Sequence, residues 1–235
     1  MLNIDKINVS YGIIQVIYDT KFHVEEGECV ALLGSNGAGK TTILNAISGV
    51  TKVSTGGITF CGERIDNLSA SERYEMGVVQ APEGGKIFPH MTVKENLMMG
   101  ASCRQEAWDL RKETLERVYT IFPRLKDRCN QEAKLLSGGE RQIMVIGRGL
   151  MGRPRLLMID EPSLGLAPKI LLDIYDTMRI LREEGVTLLL AEQNVSQALK
   201  LCTRGYVFEN GRIVIEGSSE SLLNNDHIKR AYLGL

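Results

Sequence analysis

A chain of 235 residues with 43% hydrophobic and 24% charged content has the make-up of a globular protein with a sizeable core. Its formal net charge of −1 speaks against a general nucleic-acid surface. Cys29, Cys61, Cys103, Cys129 and Cys202 are scattered without metal-ligand spacing or a disulfide framework, and no apolar run approaches the roughly 20 residues that span a bilayer.

Residues 2–30 read as short β-like segments, such as Leu2-Asn3-Ile4 and Val9-Ser10-Tyr11, separated by turns. No signal-like segment precedes the first of them, so a reducing, cytoplasmic setting is expected. Cys29–Leu33 is a short buried-strand run. It leads into Gly34-Ser35-Asn36-Gly37-Ala38-Gly39-Lys40-Thr41, which fits G-x-x-x-x-G-K-[ST] without a mismatch. Glycines let such a loop wrap close to phosphates with its amides pointing inward. Lys40, expected on the loop, supplies charge to the terminal phosphates. Thr41 offers a hydroxyl to Mg²⁺, and Thr42 follows into a helix whose Ile43, Leu44 and Ile47 share a face. Ile58-Thr59-Phe60, with Cys61-Gly62, adds a strand to an antiparallel β subdomain. Ile87-Phe88-Pro89-His90-Met91 is an apolar loop, either a docking surface or a segment folded onto its own core.

From about 92 to 150 the pattern is helical, with Leu115, Val118, Tyr119 and Phe122 in a stripe that Pro123 stops. Leu136-Ser137-Gly138-Gly139-Glu140-Arg141-Gln142 contains a capping box, Ser137 with Glu140. A helix N-terminus opened by a Ser hydroxyl and two Gly amides is also an anion site, a second one in a chain that already has a phosphate loop. Leu156–Ile159 is a strand apolar enough for burial on both faces, ending in Asp160-Glu161. An acid pair after a strand is ordinarily a solvated loop pair. Following a phosphate loop, Asp160 is placed to hold Mg²⁺ and Glu161 to act as general base on the attacking water. Pro168 starts a helix with Leu171, Ile174, Tyr175, Met178 and Leu181 on one face. Val186–Ala191 is a second buried parallel strand, and Gln193 lies just past its C-terminal end, where α/β sheets present ligand-facing residues. Two further strands meet at a turn around Asn210-Gly211.

These three segments together resemble the ATP-binding subunit of ABC transporters over essentially the whole chain. The resemblance is closer to the second ATPase of branched-chain amino acid importers, through Pro82-Glu83-Gly84, Ile87-Phe88-Pro89, Ser163-Leu164-Gly165-Leu166-Ala167-Pro168, Glu192-Gln193-Asn194, Glu209–Val214 and Ala231-Tyr232-Leu233-Gly234. It implies an α/β, P-loop NTPase fold with a RecA-like core, an antiparallel β subdomain and a helical signature subdomain. One ABC ATPase domain would span 2–235, with core and β subdomain in about 1–90 and 151–235 and the helical part in about 91–150.

The resemblance also implies ATP and Mg²⁺ as ligands, with Tyr11 stacking on adenine. Glu83 falls where most relatives carry a Gln that senses γ-phosphate and Mg²⁺; Gln80 is the rival, and the Pro82 and Phe88 spacing favours Glu83. Ala167 replaces an Asp of the dimer-contact loop, and Gln193 replaces the usual switch His. Ser137, Gly138 and Gly139 would hold the phosphate bound to a neighbouring subunit, either a second copy or a sister ATPase. Permease subunits, and through them a solute-binding protein, would be the other partners, with no nucleic acid among them, at the cytoplasmic face of the membrane. Branched-chain amino acids are implied as solute by resemblance alone; urea, short amides and other amino acids stay open. A soluble ABC ATPase acting on ribosomes or DNA would call for paired halves or a long insertion, and a small-molecule kinase would leave the Ser137 segment unexplained.

Overall fold

The computed structural model describes residues 1–166 and 168–233, with the backbone alone for Pro168, Lys169 and Leu233; Ala167 and Gly234 lie outside the described residues. In chain order the first half comprises β1 (Leu2–Tyr11), β2 (Ile14–Val24), β3 (Cys29–Leu33), α1 (Lys40–Ser48), β4 (Thr55–Phe60), β5 (Glu63–Arg64), α2 (Ala70–Glu75), β6 (Val78–Ala81), α3 (Val93–Met99), α4 (Gln105–Asp109), α5 (Arg111–Ile121) and α6 (Pro123–Asp127). The second half comprises α7 (Gly138–Met151), β7 (Leu156–Asp160), α8 (Pro168–Glu183), β8 (Thr187–Glu192), α9 (Val195–Leu201), β9 (Arg204–Glu209), β10 (Arg212–Ser218) and α10 (Ser219–Asn224).

Two sheets result: an antiparallel one in the order β2-β1-β4-β5, and a six-stranded one in the order β10-β9-β3-β8-β7-β6. In the larger sheet β9, β3, β8, β7 and β6 pair in parallel, and only β10 runs against its neighbour. Alternation along β3 divides the core. Val30 and Leu32 face α1 and the small sheet, whereas Cys29, Ala31 and Leu33 face the helical side with α7, α8 and α9. The Leu115, Val118, Tyr119, Phe122 stripe is buried in that second cluster, as its spacing requires.

The N-terminal segments expected to be short are instead two long strands. Their apparent breaks are bulges, with Lys6 at φ 47° and Asp19 at φ 43° where the β1–β2 register shifts, so the pairing resumes beyond each interruption. Cys61 and Gly62 also differ from expectation: with φ of 51° and 85° they form the turn between β4 and β5 rather than extending β4.

One buried charge holds the phosphate-loop helix from behind. Arg73, 2% exposed on α2, donates from Nη1 to the Ala46 and Ile47 carbonyls at the C-terminal end of α1 (2.6 and 3.0 Å). Its other nitrogens donate to the Leu68 and Asp66 carbonyls, each at 3.0 Å. A cation there also offsets the negative end of the helix dipole. Arg73→Met is expected to destabilise the fold by about 3 kcal/mol or more, since charged hydrogen bonds are lost and buried carbonyls are stranded. Urea denaturation measures this; a loss below about 1 kcal/mol would contradict it.

Candidate active site

The phosphate loop is shaped by what lies beneath it. A Cβ on Gly34 would stand 2.4 Å from the Phe208 carbonyl oxygen, and Gly39 adopts φ 110°. The turn at Asn210-Gly211 braces the loop: the Gly211 amide donates to the Ala38 carbonyl at 2.9 Å, and a Cβ on Gly211 would lie 1.8 Å from the Val16 oxygen. Ser35, Asn36 and Gly37 form an exposed crest. Lys40 is the first residue of α1 rather than a loop residue, because Ile43 N already bonds to the Gly39 carbonyl at 3.0 Å. No side chain caps α1, so its leading amides stay available to an anion.

Parallel pairing brings the acid pair to this loop. Lys40, 4% exposed, donates from Nζ to the Gly34 and Ser35 carbonyls (2.7 and 3.0 Å) and stands 2.8 Å from Glu161 Oε1. That last contact is an ion pair off the hydrogen-bonding direction, leaving Oε1 without a hydrogen-bond donor. The Thr41 hydroxyl donates to Asp160 Oδ1 at 3.1 Å, and Asp160 Oδ2 is buried without a partner. Glu161 holds φ 43°, a left-handed conformation costly for a non-glycine residue, and is kept there by its amide bond to the Ala191 carbonyl at 2.9 Å. The Gln193 amide donates to Glu161 Oε2 at 3.2 Å, while the Gln193 side chain is exposed.

Burial pushes the Asp160 carboxyl up from 3.8 to about 6, with the charges of Glu83 and Glu161 adding to it and the Thr41 hydroxyl and Lys40 opposing it. The Glu83 charge is thus felt at Asp160, whereas Gln80 commits its amide to Asn45 Oδ1 at 3.1 Å. An orphaned buried carboxylate oxygen beside a threonine hydroxyl and a second acid fits a hard cation. Among the described residues no cluster of three or more His, Cys, Asp or Glu side chains cages a metal alone. That donor set suits Mg²⁺, which keeps water and phosphate ligands.

The raised pKa sets a sign. Between about pH 4 and 6 the metal-free fold binds more protons than the unfolded chain, so this group's stabilisation is complete below about pH 4 and lost as pH rises through about 6, by about 2–3 kcal/mol. Asp160→Asn is expected to raise the melting temperature of the metal-free chain near pH 7 and to leave it unchanged near pH 4. Equal gains at both pH values, read by calorimetry, would refute the electrostatic cause.

Tyr11 ends β1 with its ring 49% exposed and its hydroxyl 3.3 Å from Thr51 Oγ1, beyond the end of α1. Thr42 is buried behind Thr41. The Ser137 segment forms the expected capping box: Ser137 N donates to Glu140 Oε2 at 2.9 Å, and Glu140 N to Ser137 Oγ at 3.3 Å. Ser137 and Gly138 are exposed; Gly139 is buried, where a Cβ would meet Ile170 Cγ2 at 2.4 Å. Among the described residues no hydrogen bond or ion pair joins this segment to the phosphate loop. The loop at Phe88 is 43% exposed there, packs under Arg148 at 5.4 Å, and borders a groove of about 380 Å³ lined also by Tyr74, Ile87 and Met99. One contributor escaped sequence reasoning: Gly211 reads as an ordinary hairpin residue, and its brace on Ala38 is visible only in the fold.

The family profile described as ABC transporter matches residues 17–164. The chain is 45% identical over 234 residues, covering all of both chains, to the high-affinity branched-chain amino acid transport ATP-binding protein BraG of Pseudomonas aeruginosa. It is 33% identical over 237 residues to the lipopolysaccharide export system ATP-binding protein LptB of Haemophilus influenzae, covering 100% of this chain and 97% of that one. Its fold superposes with TM-score 0.82 and 29% identity on the ADP conformation of an ATP-binding cassette of an ABC transporter, covering 100% of this chain and 99% of the other.

Proposed function

The chain belongs to the ATP-binding family of ABC transporters, and from that premise we propose that it hydrolyses ATP to drive an importer of branched-chain amino acids. The observation that carries the hydrolysis reading is the meeting of Lys40, Thr41, Asp160 and Glu161 at the ends of β3 and β7. Identity of 45% over the full length supports the solute, because the 33% likeness to a lipopolysaccharide exporter leaves cargo open at that level.

The loop amides of Gly34–Gly39 and the α1 N-terminus bind the phosphates, and Tyr11 receives the adenine. Thr41, Asp160 and Glu83 would hold Mg²⁺, which neutralises charge on the phosphates when bound. Without nucleotide, Lys40 neutralises Glu161. Recruiting Lys40 to the terminal phosphates releases that carboxylate to take a proton from water. Gln193 donates to the γ-phosphate from its exposed amide.

The helix terminus at Ser137-Gly138-Gly139, with Ser137 and Gly138 exposed, is the other half of the site. It serves the nucleotide of a second copy or sister ATPase, since among the described residues no hydrogen bond or ion pair brings it to the phosphate loop. The Phe88 groove receives the permease at the cytoplasmic membrane face, and no helix of the described residues is long and apolar enough to cross a membrane.

Reconstitution with permease and binding protein tests this: leucine, isoleucine and valine should stimulate ATP turnover, and stimulation by none of them would overturn the solute. In that complex Gln193→Ala should lower turnover about tenfold or more. Because Gln does not titrate near neutrality, the switch position should contribute no rate step around pH 6–7 in the parent, and Gln193→His should add one to the parent's profile. An unchanged rate in Gln193→Ala would make the residue a bystander.

A further inference from the structure

Glu192 ends β8 with its side chain entirely buried, and no role follows for it from the chemistry above. Its carboxylate collects five donors. Ser163 gives its amide to Oε1 at 3.2 Å and its hydroxyl to Oε2 at 2.9 Å. Tyr175 on α8 gives its hydroxyl to Oε1 at 3.0 Å. The amides of Gln193 and Asn194 go to Oε2 at 3.1 and 3.2 Å.

Two of these partners adjoin the active site. The Gln193 amide is shared between Glu192 Oε2 and Glu161 Oε2, at 3.1 and 3.2 Å. Ser163 starts the segment after Glu161 that carries Leu164, an apolar residue 47% exposed. Glu192 also lies in register with Leu33, the residue that enters the phosphate loop. A buried carboxylate with every donor satisfied is stiff, and a half-satisfied one is costly, so the arrangement tolerates little slack. Burial already pushes Glu192 above the usual carboxylate range, with the Glu161 charge adding to it and the Ser163, Asn194 and Tyr175 hydrogen bonds opposing it.

We infer that Glu192 is a positioning residue for hydrolysis, holding the Gln193 backbone and the Ser163 segment in fixed relation to Glu161. The inference rests on the ATPase reading above. The Glu192 carboxylate gives the Ser163 segment a side-chain link to Gln193 and so to Glu161 Oε2, beside the backbone bond from the Leu164 amide to the Glu161 carbonyl at 3.3 Å. A purely apolar contact would transmit no such direction, because it lacks the oriented hydrogen bonds.

Glu192→Gln keeps the shape but replaces one acceptor oxygen by a donor that faces other donors. Ser163→Ala removes a single bond and is the milder variant. In the assembled transporter both should lower kcat, Glu192→Gln by about tenfold or more, with KM for MgATP and the nucleotide Kd of the isolated chain within about twofold of the parent. Glu192→Asp should recover less than half of the lost rate, because the shortened carboxylate no longer reaches both Ser163 and Gln193. If Glu192→Gln does not fold, Ser163→Ala decides, by a fall in kcat at unchanged KM. An unchanged kcat in a folded variant overturns the inference, as does a parallel loss of kcat, affinity and melting temperature. Glu161→Gln is assayed alongside. If it blocks hydrolysis while Glu192→Gln does not, only the positioning role fails; if it hydrolyses ATP normally, the reading of the site fails with it.

Discussion

Glu161→Gln is expected to bind MgATP with parental affinity and to hydrolyse it at least about a hundredfold more slowly. The substitution keeps the length of the side chain and an oxygen for the Gln193 amide, which now bonds to Glu161 Oε2 at 3.2 Å. It removes the group that takes a proton from water, and with it the partner of Lys40 at 2.8 Å. Freed of that ion pair, Lys40 is more available to phosphate, so affinity should hold or tighten. The stalled nucleotide should collect the chain into dimers, because Ser137 and Gly138 are exposed for a second subunit's phosphate. Single-turnover hydrolysis, calorimetric titration and light scattering with MgATP read the three effects. A rate within threefold of the parent removes Glu161 from the chemistry, and a purely monomeric complex, alone and with its partners, counts against the shared site.

Lys40→Ala should weaken MgATP by at least about a hundredfold. Charge-assisted hydrogen bonds to phosphate are worth about 1.5–3 kcal/mol each, so losing two costs about 3 kcal/mol or more, two decades in Kd. The fold should survive with a lower melting temperature. The Gly34 and Ser35 carbonyls lose their donor, and Glu161, 5% exposed, keeps a buried carboxylate without its cation. Glu161→Gln in the same chain should restore part of that stability without restoring affinity. Circular dichroism with calorimetric titration distinguishes the two effects; a Kd within tenfold of the parent in a folded variant would exclude Lys40 from phosphate binding.

The features legible in the sequence are those written in contiguous residues. Gly34–Thr41 needs its glycines within one turn of chain, Ser137 and Glu140 meet across a single helical turn, and Asp160-Glu161 follows an uninterrupted apolar strand. Local geometry ties each of these to a spacing, and spacing survives in one dimension. The bulges at Lys6 and Asp19 are not legible in the short-segment pattern of residues 2–30, because only the partner strand shows that pairing resumes beyond an interruption. The turn of Gln80 to Asn45 likewise needed the placing of β6 beside β7.

By itself the sequence determined the glycine-rich loop, the acid pair, the capped helix at Ser137 and hence the class of chemistry, because each is a short pattern whose geometry lies in its own backbone. Only the tertiary structure decided that Lys40 holds Glu161, that Gly211 braces Ala38, and that Glu192 joins Ser163 to Gln193. These contacts join residues far apart in the chain. They exist because β3, β7, β8 and β9 lie side by side in a parallel sheet, and strand order is set by long-range packing that no local spacing records.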